Sequence, residues 1–317
     1  MKTKIAVIGA LTTIGRAVLD GLSEKGFAAS DIQALDNRRA DGIQIPFQSG
    51  FLRVENLTSF DFSRVRVVFL CTPSLLSEYK DEALNAGAYV IDCVGIAGPA
   101  PCIIPSLNKK EIQNHRLILN PTSLTVTLAH VFTPIQRYFD IRSASATVLL
   151  SAGEFGGPAV QSLVDQTRSL YTREQPPDGP FKKIQAFNLI PEVYPVLTRQ
   201  TTSQIKALLH FPITISTCLT PIFQGECYSL IFSTREKCSL SQLTSVFNHH
   251  PICRLLSDTD PIEDITTQDT ACTNYIYLTH LGCIPYQPHT YHLWVLCDSF
   301  RTGAVANAVR IAEYLLT

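Results

Sequence analysis

The sequence KIAVIGALTTIG, at residues 4–15, sets the architecture of the first half of the chain. Its opening part is rich in β-branched side chains and ends in glycine, which is typical of a buried strand in a parallel sheet. Apolar residues then recur at helical spacing, at Ile14, Val18 and Leu22, until Gly26 ends the pattern. A strand followed directly by a helix is the first part of a β-α-β unit, so this stretch predicts a doubly wound parallel sheet of Rossmann type.

The same alternation of strand and helix continues to about residue 122. A helix is predicted over residues 78–85, and a last, amphipathic helix over residues 303–316. The predicted buried strands of this half cover residues 32–37, 65–71, 89–93 and 116–119.

The pattern changes after residue 122. An apolar helix is predicted over residues 123–139, and long strand-like runs follow with few helical crossovers. Such runs indicate an antiparallel or mixed sheet and a second domain of α+β type. The polar, proline-rich segment 172–183 is predicted to be an exposed loop. The predicted strands cover residues 142–151, 184–189, 213–223, 228–234, 273–281 and 292–297.

Composition excludes several classes of protein. Hydrophobic residues make up 45% and charged residues 17% of the 317 positions, which excludes an intrinsically disordered chain. The 26 Lys and Arg nearly balance the 27 Asp and Glu, so no nucleic-acid partner is expected.

The uncharged stretch 270–297 contains Pro285 and Pro288, so no membrane helix is expected there. The ten cysteines form no CxxC pair, which argues against a zinc site or a disulfide framework and for a cytoplasmic protein.

The turn after the first strand is the candidate cofactor site. Rossmann folds place glycines here so that the backbone can approach a pyrophosphate at a helix N-terminus. Gly9 and Gly15 are present, but Thr12 stands where a close-approach glycine is expected, and its Cβ would crowd the phosphates. Thr13 and Ile14 complete the turn. The pattern therefore supports a weakly bound NAD or NADP, and equally a strand–helix turn without a ligand.

The end of the second predicted strand carries mixed signals about the cofactor. Asp36 suits a ribose 2′-hydroxyl, whereas Arg38 and Arg39 suit a 2′-phosphate. The sequence leaves open NAD, NADP and a solvated loop that binds neither.

Seven segments together resemble the aspartate-semialdehyde dehydrogenase family along nearly the whole chain. Each is a weak signal alone, but all occur in order and at suitable spacing. They are residues 9–15 (GALTTIG), 86–92 (AGAYVID), 103–108 (IIPSLN), 119–125 (LNPTSLT), 186–191 (AFNLIP), 221–225 (PIFQG) and 298–313 (DSFRTGAVANAVRIAE).

The resemblance implies two domains with different functions. A dinucleotide-binding domain would comprise residues 1–122 and 300–317, completed by the last helix. An α+β domain, residues 123–299, would carry the catalytic residues. One face of its sheet would be covered by its own helices, and the other, apolar face would pair with a second copy, so a homodimer is expected. Members of the family reduce an acyl phosphate with a nicotinamide cofactor, using a cysteine nucleophile and a histidine acid/base.

The residues that match the family's catalytic positions differ in chemistry. Ser123 stands for the nucleophilic cysteine, Glu226 for the histidine and Leu219 for the substrate arginine. Residues 201–204 (TTSQ) replace a run that carries two charges in the family. A serine hydroxyl is barely ionised without a neighbouring base, and Ser123 also suits a helix N-cap. Cys227 could supply a thiol instead, but the adjacent carboxylate raises a thiol pKa.

These losses indicate a catalytically degenerate branch of the family, the Usg-type proteins. We expect a binding or interaction role, with a small molecule as a possible ligand and no metal. The alternative is an NAD(P)-dependent semialdehyde dehydrogenase or other oxidoreductase with an altered substrate, in amino-acid biosynthesis.

Overall fold

The computed structural model describes residues 4–95, 99–256 and 264–317, without the side chains of residues 38 and 74–78. The strands are β1 (Ile5–Ile8), β2 (Ile32–Asp36), β3 (Gln44–Phe47), β4 (Gly50–Asn56), β5 (Val67–Leu70), β6 (Tyr89–Asp92), β7 (Leu117–Leu119), β8 (Ile141–Leu150), β9 (Ile190–Pro191), β10 (Ile213–Leu219), β11 (Glu226–Thr234), β12 (Cys253–Leu255), β13 (Ile276–Cys283) and β14 (Thr290–Cys297). The helices are α1 (Thr13–Glu24), α2 (Pro73–Asn85), α3 (Pro105–Asn108), α4 (Ser123–Gln136), α5 (Gly157–Thr172), α6 (Pro195–Leu209), α7 (Leu240–Phe247), α8 (Thr267–Thr270), α9 (Ser299–Thr302) and α10 (Ala304–Leu316).

The chain divides into two compact units. The first comprises Met1–Ser123 and Ala304–Thr317, and the second Leu124–Gly303. The return of α10 to the first unit follows from its apolar face: Ala308, Ile311 and Leu315 are buried in the core that also contains residues of α1.

The first unit is built on a seven-stranded sheet of order β3-β4-β2-β1-β5-β6-β7. All neighbours are parallel except β3 and β4, which form an antiparallel hairpin at one edge. The predicted doubly wound sheet is confirmed, and β1 is buried along its whole length. The chain passes from β1 to β2 on one side and later to β5 on the other side of β1, so the strand order reverses between β1 and β5. Ligands of open α/β sheets bind at the carboxyl ends of the strands at such a point, where residues 9–15 lie.

The second unit is built on a mixed sheet of order β12-β13-β14-β11-β8-β10-β9. The central pairs β8–β11 and β11–β14 are antiparallel, whereas β8–β10 and β12–β13 are parallel. This confirms the predicted α+β class. The three longer helices α5, α6 and α7 of this unit were not predicted, and neither were the one-turn helices α8 and α9. Helix α6 contains Thr198, Thr201 and Thr202, β-branched residues that lower helix propensity and conceal the helical pattern.

The strand predicted over residues 184–189 is wrong. The structure forms a turn there, because Asn188 uses its side chain locally: its Nδ2 donates to the Ile184 carbonyl over 3.0 Å, and its Oδ1 accepts from the Leu189 N–H over 2.9 Å. Such side-chain bonds satisfy backbone groups that a strand would pair. Phe187 also adopts a positive φ of 54°. Only the following pair, Ile190 and Pro191, joins the sheet, as β9.

The outward face of the second sheet is more polar than a hydrophobic dimer face would be. The strands alternate buried and more exposed positions, as predicted for a sheet covered on one side. The exposed positions include two large apolar side chains, Ile231 and Trp294. Most of the others are small and polar, so the strands' apolar residues point into the unit's own core. The small polar ones are Ser143, Ser145, Thr147, Thr214, Ser216, Ser229 and Ser233.

Candidate functional site

The turn between β1 and α1 is tightly packed around its two glycines. Gly9 has a φ of +79°, which favours glycine. A Cβ on Gly15 would lie 2.1 Å from the Gly9 carbonyl oxygen, far inside contact distance. Both glycines are therefore required by the strand–helix turn itself, whether or not a cofactor binds.

Thr12 is the N-cap of α1. Its Oγ1 accepts from the Gly15 N–H over 3.0 Å, and its hydroxyl lies 2.7 Å from the Gly9 carbonyl and 3.1 Å from that of Cys71. The side chain thus links the turn to the end of β5. Thr13 is exposed and Ile14 is partly buried in the first turn of the helix, where backbone N–H groups face an incoming anion in Rossmann folds.

Asp36 is held by the backbone around it. Its Oδ2 accepts from the Leu11 N–H over 3.1 Å, and its Oδ1 accepts from the Asn37 N–H over 2.8 Å. The carboxylate is 6% exposed and ties the end of β2 to the turn after β1. Arg39 is exposed, and the side chain of Arg38 lies outside the described part of the chain. The structure brings Asp36 to the predicted cofactor turn, but it does not choose between NAD and NADP.

Ser123 is the first residue of α4, as the sequence predicted for a helix start. Its Oγ accepts from the backbone N–H of Ala304 over 3.2 Å, at the first residue of α10. Asn120 binds the same place, donating its Nδ2 to the Ala304 carbonyl over 2.9 Å. Asn307 in turn donates to the Oδ1 of Asn120 over 2.9 Å. Ser123 therefore belongs to a polar network that anchors α10 within the first unit.

Glu226 lies at the start of β11 and is fully buried. Its Oε2 accepts from the Tyr228 hydroxyl over 2.5 Å, and its carboxyl also hydrogen-bonds that of Glu154, which requires one of the two acids to carry a proton. Burial, and then the neighbouring carboxyl of Glu154, raise the pKa of Glu226 well above its ordinary value. The charged form of this group is therefore disfavoured in the folded protein.

Two further acids that the sequence did not single out complete the cluster around Glu226. Glu154 accepts from the Ser299 hydroxyl over 2.9 Å, and burial raises its pKa. Asp298 accepts from Gln224 Nε2 over 2.7 Å and from the Cys272 N–H over 2.8 Å. These acids come from distant parts of the chain, and only the pairing of the strands brings them together.

The other candidate residues of the second unit are Leu219, Gln204 and Cys227. Leu219, the last residue of β10, is fully buried and pairs in register with Leu150. Gln204 is mostly buried, and its Oε1 accepts from the Thr125 hydroxyl over 2.7 Å. Burial raises the pKa of the Cys227 thiol to about 11, which disfavours the reactive thiolate.

In residues 4–95, 99–256 and 264–317, no group of three or more His, Cys, Asp and Glu side chains could hold a metal ion. None of the helices described there has the length and apolar character needed to cross a bilayer.

Comparison with known proteins finds similarity to aspartate-semialdehyde dehydrogenases and to USG-1 protein homologs along nearly the whole chain. Residues 4–115 match the family model described as semialdehyde dehydrogenase, NAD binding domain. The chain is 25% identical over 331 residues to the aspartate-semialdehyde dehydrogenase of Rickettsia conorii, covering 99% of this chain and 98% of that protein. It is 26% identical to a USG-1 protein homolog of Pseudomonas aeruginosa, covering 98% and 97%. Among solved structures, a probable aspartate-semialdehyde dehydrogenase from P. aeruginosa superposes with a TM-score of 0.91, at 25% identity over 100% of this chain and 99% of that one.

Proposed function

We propose that this chain is a USG-1-like relative of the aspartate-semialdehyde dehydrogenases that lacks the dehydrogenase reaction. It acts by binding a small molecule or a partner, as a homodimer in the cytoplasm. The observation that carries the proposal is the state of Glu226, the residue that matches the family's histidine. A group at that position has to exchange protons with substrate.

Glu226 is poorly placed for that exchange. A buried carboxyl with a raised pKa can serve as a general acid, but only if it reaches the substrate. Glu226 is 0% exposed, and its carboxyl is hydrogen-bonded to Tyr228 and to Glu154. The group therefore offers no atom to a ligand.

Ser123 has a structural task at the position of the family's nucleophile. Its oxygen accepts a hydrogen bond from the Ala304 N–H, and this bond holds the hydroxyl at the start of α10. Loss of a single catalytic group typically costs orders of magnitude in rate. Here the residues that match the nucleophile, the acid/base and the substrate arginine have all changed.

The cofactor turn supports weak binding of NAD or NADP at most. Thr12 is occupied as a cap, and both carboxylate oxygens of Asp36 accept backbone N–H groups of neighbouring residues. A ribose would have to share those oxygens, and the pyrophosphate would have to approach a turn that carries a Cβ at Thr12. The fold of a nicotinamide domain is thus retained with few groups left for the cofactor.

The dimer proposal rests on an apolar patch beside the second sheet. Tyr171 and Phe187 are 77% and 66% exposed and pack edge to face, with ring centroids 6.1 Å apart. Leu189 and Leu170 are exposed in the same stretches of chain, and Leu189 precedes β9 at the sheet edge. Contiguous exposed apolar side chains of this kind mark protein interfaces. The outward face of the second sheet, whose exposed positions are mostly small and polar, is less suited to such an interface.

The deciding experiment measures turnover of the purified protein with aspartate semialdehyde, phosphate and NADP, by the appearance of reduced nicotinamide. We expect no rate above the protein-free background, while an active aspartate-semialdehyde dehydrogenase run in parallel reacts. A rate proportional to protein concentration and abolished by Ser123→Ala would reject the proposal. Turnover of another aldehyde with tight NADP binding would instead favour an oxidoreductase with an altered substrate.

A further inference from the structure

A polar pocket of about 570 Å³ lies in the second unit, at the end of the sheet opposite to Glu226. It opens where β8 begins, β11 ends and β14 begins. Strand β11 separates it from Glu226 by eight residues, which is roughly 26 Å of extended chain. The residues that define it are Arg142, Ser143, Ser233, Arg235, His289 and Thr290.

A β-bulge places Arg142 at this pocket. Ser233 pairs with Ser143 and Thr234 pairs with Ile141, so Arg142 is an additional residue on β8. Arg142 and Ser143 are consequently both exposed, which breaks the alternation along the strand. Bulges re-aim side chains and occur next to binding sites. Here the bulge presents a guanidinium group and a hydroxyl on the same side.

The charge of the pocket is positive. Arg142 has no carboxylate within ion-pair distance among the described residues, and none of the residues lining the pocket is acidic. Arg235 contacts Asp140 through its Nε at 2.6 Å. Two guanidinium groups therefore border the cavity, with one carboxylate near one of them.

Hydroxyl groups and an imidazole supply further polar atoms. The hydroxyls of Ser143 and Ser233 lie 3.0 Å apart and retain acceptor and donor capacity beyond their mutual bond. In the wall, the Nδ1 atom of His289 is buried without a hydrogen-bond partner in the described part of the protein. Buried polar atoms are normally satisfied, by protein, water or a ligand.

We propose that this pocket binds a small anion that carries a phosphate group. A guanidinium fork matches the oxygens of a phosphate and binds it in a bidentate manner, and serine hydroxyls complete such sites. Pro288 is the one lining side chain without a polar group, so an apolar ligand would find little surface to bury. The site is independent of the proposed loss of dehydrogenase activity, because it uses none of the residues at the β1–α1 turn or around Glu226.

Calorimetry with inorganic phosphate and with glycerol phosphate tests the site on the full-length protein. We expect dissociation constants on the order of 1 mM for inorganic phosphate. Tighter binding of glycerol phosphate would identify an organic phosphomonoester as the ligand class, and equal binding would identify free phosphate.

Arg142→Gln should weaken phosphate binding by about tenfold or more. Arg168→Gln is the matched control, since it removes the same charge from an exposed position on α5.

A second variant keeps the test decisive if Arg142→Gln fails to fold. Ser233→Asp places a carboxylate beside the two arginines, so it should compete with phosphate and abolish binding while the protein stays folded. Amide NMR of the wild type should show phosphate-induced shifts at Ser143, Ser233 and Thr290. The proposal is overturned if phosphate does not bind the wild type, or if Arg142→Gln and Arg168→Gln bind phosphate equally tightly. It is also overturned if the phosphate-induced amide shifts lie outside the pocket.

Discussion

Tyr228 donates its phenolic hydrogen to the Oε2 atom of Glu226 over 2.5 Å, inside a fully buried part of the second unit. The bond stabilises a carboxyl group that has neither solvent nor a cation beside it. Burial and the neighbouring Glu154 raise the pKa of Glu226, so its charged form is disfavoured in the folded protein. The consequence is a dependence of stability on pH whose sign is opposite to that of a salt-bridged acid.

Glu226→Gln is expected to raise the free energy of unfolding at pH 8 by about 1–3 kcal/mol. The raised pKa means that the stability contributed by Glu226 is complete below about pH 4, the ordinary range of a glutamate in the unfolded chain, and is lost as pH rises toward the folded-state pKa. Glutamine cannot ionise and retains an oxygen for Tyr228, so it avoids this loss. Urea denaturation at pH 4 and pH 8 should therefore show the two proteins converging at the lower pH.

The control for this comparison is Glu236→Gln, which removes an exposed carboxylate from the same unit. It should change stability by less than about 0.5 kcal/mol at either pH. If Glu226→Gln is less stable than the wild type at pH 8, Glu226 is ionised and paired, and our description of the cluster is wrong.

Ser123→Cys is expected to yield no dehydrogenase activity. The substitution restores the thiol of the family's nucleophile, but Glu226 remains buried and Leu219 still stands for the substrate arginine. The assay is the formation of reduced nicotinamide from NADP, aspartate semialdehyde and phosphate, with thiol alkylation as a check that the new cysteine is accessible. A measurable rate from this single variant would mean that the remaining residues still support the reaction.

NAD and NADP are expected to bind more weakly than about 0.1 mM, an affinity worth less than about 5.5 kcal/mol. The reason is that Thr12 carries a side chain at the approach to the pyrophosphate, and Asp36 is engaged by the Leu11 N–H. Isothermal titration calorimetry with each nucleotide measures this directly. Micromolar binding would show that the turn accommodates the pyrophosphate, and an oxidoreductase function would become the leading hypothesis.

Gly15→Ala is expected to destabilise the protein by about 3 kcal/mol or more, or to prevent folding. The new methyl group would lie 2.1 Å from the Gly9 carbonyl oxygen, which is fixed backbone. Gly50→Ala is the control: a Cβ there meets no atom within 4 Å. Chemical denaturation of both variants gives the comparison, and equal stabilities would contradict the tight strand–helix packing.

The wild type is expected to have a mass near twice 35.0 kDa by light scattering at micromolar concentration. Tyr171→Asp should shift the protein toward the monomer, because a charge in an apolar interface is desolvated without a partner. Tyr138→Asp changes an equally exposed tyrosine outside the patch and should leave the dimer intact. A wild type that remains a folded monomer would remove the basis for the dimer proposal.

Much of the first unit is predictable from sequence because its signals are local. The apolar run of β1, the glycines at 9 and 15 and the helical spacing of α1 each specify one conformation, and the structure has all of them. The β3–β4 hairpin gave no such signal. Gln48 and Ser49 form its two-residue turn, with Gln48 at a φ of 52°, where asparagine or glycine is the usual residue.

The candidate sites could be predicted only where neighbours in sequence are also neighbours in space. This holds for Thr12, Gly15 and the start of α1, which are close together in the sequence and in the structure. The partners of Glu226 are different, because Glu154 and Asp298 approach it through strand pairing that no local pattern encodes. The same is true of Ser123, whose role depends on a backbone N–H near the other end of the chain.

The position of α10 has a consequence for how the protein is made. Ala308, Ile311 and Leu315 belong to the same core as Val18 and Leu22, although the whole second unit is synthesised between them. The core of the first unit therefore cannot close until the last helix has left the ribosome. During translation, the apolar side chains of α1 that later pack against α10 remain exposed, while the intervening unit can fold first. The slowest and most aggregation-prone step of folding is thus expected to be the capture of residues 304–316 by a nearly finished sheet.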